Sequence, residues 1–159
     1  MQGEVWLDKD VFGTIVAATP LISIDLIVRD SLGRVLLGKR VNRPAEGYWF
    51  VPGGRILKNE TLSAAFSRLT QNELGLSLSI SKAQYIGLFE HFYSDSIFGQ
   101  DVDTHYIVQG FEIVVESDLP LPPLQHSDYR WLLEADLLES DDVHSHSKWY
   151  FQQDKGFRI

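Results

Sequence analysis

The stretch GRILKNETLSAAFSRLTQNELGL, residues 54–76, decides the fold. Leu62, Ala65, Phe66 and Leu69 stand at i, i+3, i+4 and i+7, one apolar face, and the spacing predicts a helix over 61–74. Gly75 stands where a glycine commonly ends a helix. Ahead of the helix, Pro52-Gly53-Gly54 reads as a turn that glycine satisfies best. One residue does not fit the pattern. On a wheel of about 100° per residue, Glu73 falls within about 20° of Leu62 and between Leu69 and Phe66, so a carboxylate extends the apolar stripe. It also sits in the last turn, where the macrodipole disfavours an anion by roughly 0.3–1 kcal/mol. The pattern leaves two readings open: a cation lies nearby, or the helix end frays and Glu73 reaches water.

Upstream, residues 21–28 read as a buried strand, followed by a turn at Asp30-Ser31-Leu32-Gly33 and a second strand over 35–39. Asp25 interrupts the first strand, and a buried carboxylate requires partners. Pro44 and Gly47 mark a loop before a short aromatic strand over 48–51. Downstream, strands over 84–92 and 105–115 flank a polar loop, 94–103. A loop with Pro120, Pro122 and Pro123 leads through Gln125-His126 to a strand over 129–132 and one or two C-terminal helices. Strands on both sides of a strong helix point to an α/β layered domain. No repeat, low-complexity tract or linker divides the chain, so one domain is expected over 1–159.

The 159 residues suffice for one core. No run approaches the roughly 20 apolar residues of a membrane span, and the first ten residues lack a signal-peptide pattern. There are no cysteines, which excludes disulfides and thiolate metal sites; a cytoplasmic protein without membrane association is the expectation. A formal charge of −8 argues against nucleic acid as a partner. It leaves room for an anionic small molecule neutralised by a metal and local arginines.

The spacing carries more than a helix. The box G-x5-E-x7-R-E-U-x-E-E-x-G-U, with U a bulky apolar residue, marks the Nudix superfamily. It is matched at Gly54, Glu60, Arg68, Glu73, Gly75 and Leu76, and departs at Leu69 and Asn72, where glutamates are expected, and at Thr70. Hard divalent cations prefer oxygen ligands, so losing two glutamates implies a sparser metal site. Longer strings resemble one Nudix branch, GDP-mannose mannosyl hydrolase: residues 37–40, 42–45, 47–55, 68–70, 73–76, 104–106, 125–126 and 128–131. The resemblance covers roughly 12–151, and the Leu and Thr after Arg68 are that branch's own pattern.

This resemblance implies a Nudix α/β/α sandwich with a mixed central sheet, usually a homodimer. The implied reaction converts GDP-mannose, and more slowly GDP-glucose, to GDP and free sugar, with water attacking the anomeric carbon and inverting it. One Mg²⁺ per subunit, replaceable by Mn²⁺, would be held by Gly53 through its carbonyl, Glu73 and Gln125. His126, on a loop, would be the general base. Arg40, Arg55 and Tyr106 would meet the diphosphate, Arg68 would support the site, Asp25 and His91 would lie near the sugar, and Phe12 would touch the nucleotide. The chemistry is coherent: a diphosphate leaves readily once its charge is spread, and an imidazole titrating near neutrality suits a base. Two alternatives stand beside it: a conventional Nudix pyrophosphatase releasing a nucleoside monophosphate and a sugar 1-phosphate, and a domain that binds a nucleotide sugar without turnover. His144 and His146 have metal-site spacing but, with Glu139, Asp141 and Asp142, read as a solvated helix face.

Overall fold

A computed structural model describes residues 7–116, 118–123 and 126–159, apart from the side chain of Ser127. The chain begins with helix α1 (Lys9–Ala18), capped by Asp8, whose side chain accepts from the Val11 amide at 2.9 Å. Strands β1 (Leu21–Arg29), β2 (Val35–Arg40), β3 (Trp49–Phe50) and β4 (Gly53–Arg55) lead into helix α2 (Leu62–Leu74). Strands β5 (Gln84–Tyr93), β6 (Thr104–Val114) and β7 (His126–Leu132) follow. Two short helices, α3 (Glu134–Glu139) and α4 (Ser145–Lys148), a 3₁₀ turn (Trp149–Phe151) and strand β8 (Phe157–Arg158) complete the described chain.

Among the described residues the strands form one mixed sheet in the order β3-β2-β1-β6-β5-β8, with β4 also pairing β1 and β7 also pairing β2. The β1–β6 pair is parallel; the others are antiparallel. Strand alternation sends β1 side chains to two cores. Ile24, Leu26 and Val28 pack with Ala65, Phe66 and Leu69 of α2 on one face. Ile27 packs with Leu37, Phe89, Leu137 and Tyr150 on the other. The result is the α/β/α layering expected. No helix among the described residues is long and apolar enough to cross a membrane.

Helix α2 starts at Leu62, with Thr61 as its cap, accepting from the Ala64 amide at 3.1 Å. It ends on Gly75, whose φ of 77° is the left-handed conformation that closes helices. The predicted stripe is buried at Ala65, Phe66 and Leu69, but Leu62 is 49% exposed. Periodicity identifies a face; how far along the helix that face is covered depends on the sheet. Helix α1 and strand β8 were not anticipated.

The sheet also creates an opening. The β1–β2 register is given by Arg29↔Val35. Further along, residues 23–25 of β1 pair with β4, while β2 pairs with β3 and β7. The two halves diverge, and the gap between them is where the polar side chains collect.

Candidate active site

A cavity of about 130 Å³ occupies this gap. Strand β1 contributes Ser23 and Asp25, β4 contributes Gly53, Gly54 and Arg55, and α2 contributes Glu73. Arg40 of β2 and His126 of β7 close one side, and His91, Tyr93 and Tyr106 from β5 and β6 close the other.

Glu73 is only 4% exposed, which overturns the frayed-end reading. Its Oε1 lies 3.4 Å from the Gly53 amide and 3.4 Å from His126 Nε2. Both contacts are long for hydrogen bonds. A buried carboxylate so thinly satisfied suits a cation. Among the described residues no three or more His, Asp or Glu side chains gather as a metal cage. A cation here would therefore draw on Glu73, backbone oxygen and ligand oxygens, which fits the sparse donor set that the box departures imply. Gln125, the third expected ligand, lies outside the described residues.

His126 was expected on a loop; it is the first residue of β7, paired with Arg40. The β2–β7 ladder runs past a register shift between Gly38 and Arg40, and so extends the strand further back than the pattern around Tyr129 suggested. The imidazole is buried against Gly38, where a Cβ would come within 2.5 Å of the ring, so only glycine leaves room for it. Its Nδ1 is buried without a hydrogen-bond partner among the described residues, while Nε2 faces Glu73.

Asp25 shares the parity of Ile27 and turns toward the C-terminal layer. Its Oδ2 accepts from the Tyr150 hydroxyl. Burial pushes the carboxyl up to about 7, against the Tyr150 hydrogen bond and the Arg40 charge that favour the anion. On its other side Gly53 approaches so closely that a Cβ there would lie 2.3 Å from Oδ1. Arg40 and Arg55 have no carboxylate within ion-pair distance among the described residues, although the chain has 22 acidic residues. Each instead rests on a ring, Arg40 over Phe50 at 5.4 Å and Arg55 over Phe12 at 4.9 Å. Two uncompensated guanidiniums at one cavity make a receptor for an anion.

Two expected residues stand back from the cavity lining. Arg68 forms a two-pronged pair with Glu60, 2.7 and 2.9 Å, and donates to the Arg55 carbonyl at 2.8 Å, so it braces β4 from behind. Phe12 reaches the site beneath Arg55, in an adjoining groove that shares Arg40 and Tyr106 with the cavity. His91 does line the cavity, stacked on His146 with ring centroids 4.4 Å apart. Burial first, then the neighbouring imidazoles, lowers His91 to about 3, and His146 is also held at about 3.

His146 is buried, so the solvated-face reading of the histidine pair fails there. Its neighbourhood is aromatic: Tyr93 packs edge-on at 4.6 Å and Trp149 lies at 4.6 Å. Tyr93 and Tyr150 were not anticipated at the site. Tyr93 had a signal, since it shares a strand face with His91; Tyr150 had none.

The NUDIX domain family model matches residues 19–153. The chain is 43% identical over 124 residues to the low-salt glycan biosynthesis protein Agl8 of Haloferax volcanii, covering 78% of each. In structure it resembles a MutT protein from Methanosarcina mazei Go1, with a TM-score of 0.70, 22% identity, and coverage of 86% of this chain and 94% of that one. A MutT NUDIX hydrolase from Burkholderia pseudomallei gives a TM-score of 0.69 at 21% identity, over 86% and 99% of the two chains.

Proposed function

The chain belongs to the Nudix family, and from that premise we propose that it is a Mg²⁺-dependent hydrolase of GDP-mannose, with GDP-glucose a slower substrate, giving GDP and free sugar. The observation that carries this reading is the inventory of α2. One carboxylate, Glu73, reaches the cavity, while Leu69, where the box expects another, is buried in the core with Phe66. A site with one helix carboxylate and two unpaired guanidiniums is better suited to stabilising a departing diphosphate than to gathering several cations around an attacked phosphorus. The relative described as a glycan biosynthesis protein agrees with a sugar-linked substrate.

In this mechanism Glu73, the Gly53 carbonyl and Gln125 would hold the Mg²⁺, which supplies charge neutralisation for the diphosphate. Arg40 and Arg55 bind the same group, and the Tyr106 hydroxyl donates to it. Arg68 keeps Arg55 in place through its carbonyl. Asp25 and His91 face the sugar, and an anionic Asp25 favours the positive charge that develops at the anomeric carbon. His126 accepts the proton of the attacking water at Nε2, the nitrogen turned toward Glu73. The oxygen–carbon bond forms as the carbon–oxygen bond to the diphosphate breaks, and its electron pair leaves with GDP. Phe12 stacks with the nucleotide end. On this reading the chain works as a single cytoplasmic domain paired as a homodimer.

The test is a panel of GDP-, UDP- and ADP-sugars with Mg²⁺, with products separated by chromatography. GDP and mannose are expected from GDP-mannose. GMP and mannose 1-phosphate would indicate the conventional pyrophosphatase, and no turnover of any sugar nucleotide would indicate a binding domain.

A further inference from the structure

The C-terminal segment, 144–159, packs behind the cavity, against residues that line it. The His144 amide donates to the Trp49 carbonyl at 3.0 Å, and the Val51 amide donates to Ser147 Oγ at 3.0 Å in a buried bond. His146 stacks on His91, and Tyr150 reaches Asp25. The segment is itself tied down. Arg158 donates to the carbonyls of Trp149 at 2.8 Å, Gln152 at 2.9 Å and Lys155 at 3.0 Å, and β8 pairs with β5.

We infer that Tyr150 is a positioning residue for the reaction: its hydroxyl fixes the Asp25 carboxyl so that Oδ1 is presented beside Gly53, where the sugar of the bound nucleotide sugar lies. The inference rests on the proposed function for the identity of that ligand. Among the described residues the Tyr150 hydroxyl is the sole hydrogen-bond donor to the Asp25 side chain. A carboxyl held at one oxygen has one orientation; released, it is free to turn about its last bond. It also has an attractive alternative, because the Arg40 charge acts on it across the cavity. A carboxyl that turned to Arg40 would take from the diphosphate one of its two guanidiniums. Tyr150 is well built for the task. It is buried, its ring meets Phe89 edge-on at 4.6 Å, and its backbone is anchored through the Arg158 contacts.

The experiment is a double-mutant cycle on the hydrolysis of GDP-mannose by the full-length protein. Tyr150→Phe keeps the ring and its packing and removes only the hydroxyl. It should lower kcat about tenfold, the scale of one lost positioning hydrogen bond. In an Asp25→Asn background the same change should cost less than about twofold, because there is no carboxylate left to aim. Equal losses in the two backgrounds would overturn the assignment, since a merely structural Tyr150 would act alike in both. Crystal structures of wild type and Tyr150→Phe supply the second readout. The Asp25 carboxyl should be rotated in the variant; an unmoved carboxyl would also overturn the inference. Should the wild type hydrolyse no nucleotide sugar, the proposed function fails, and the crystal comparison still decides what Tyr150 does to Asp25.

Discussion

Glu73 Oε1 stands 3.4 Å from His126 Nε2, both groups buried, one carried by the helix and the other by the first residue of a strand 53 positions later in the chain. The residue proposed to hold the cation and the residue proposed to take the proton thus share one contact. The distance is long for a settled hydrogen bond, which leaves that carboxylate oxygen free for a metal and the imidazole nitrogen free for water.

Glu73→Gln keeps volume and removes the anion. Mg²⁺-dependent turnover should fall by at least about 100-fold, with the melting temperature within a few degrees of wild type because only long contacts are altered. Activity measured across a Mg²⁺ titration, beside a thermal melt, checks both halves. Wild-type activation by Mg²⁺ in this variant would remove Glu73 as a ligand.

His126→Gln should lower kcat by about 10²–10⁴-fold and leave KM nearly unchanged, as loss of a positioned base does. A variant that kept most of its turnover would move the base role to His91, the other imidazole lining the cavity.

The stacked histidines make stability depend on pH. His91 and His146 have folded values near 3, against 6.5 for the ordinary group, because burial and neighbouring imidazoles disfavour the charged form. The groups around His91 are His144 and His146, with Trp149 and Tyr150 of the C-terminal segment and Tyr106 across the ladder. Below about pH 6.5 the unfolded chain takes up protons that the folded chain refuses, so their contribution is complete above that pH and is lost as pH falls toward 3. The melting temperature should drop between pH 7 and pH 5, and His146→Gln should flatten that slope whatever its effect at pH 7. An unchanged slope would contradict the account.

Arg68 and Glu60 should couple. Their two-pronged pair is half-buried, and a double-mutant cycle with alanine, read by urea denaturation, should give about 1 kcal/mol of interaction. Arg68→Lys should not restore it, since an ammonium cannot span both carboxylate oxygens. Additive losses would show that the pair does not brace β4.

The layered fold and the Glu73 end of the site were legible because their signals are local. Period-3.6 spacing set out the helix, and a carboxylate on an apolar stripe stood out against it. Asp25 was conspicuous for the same reason within a strand. The packing of the C-terminal segment was not legible: Tyr150 meets Asp25 across 125 positions of sequence, and nothing in the string around Tyr150 records that pairing. The position of His126 depended on a ladder continuing past an irregularity in β2, which no local pattern reports. Helix α1 was hidden by Gly13 and by β-branched Val11, Thr14, Ile15 and Val16, poor helix formers whose arrangement depends on tertiary contacts and the Asp8 cap.

The central claim is that water attacks carbon rather than phosphorus, and hydrolysis of GDP-mannose in ¹⁸O-labelled water tests it directly. Mass spectrometry should find the label in mannose and none in GDP, with β-mannose the first anomer formed from the α-linked donor. Label in a phosphate-bearing product, whether GDP or GMP, would contradict the account and place the reaction with the conventional pyrophosphatases.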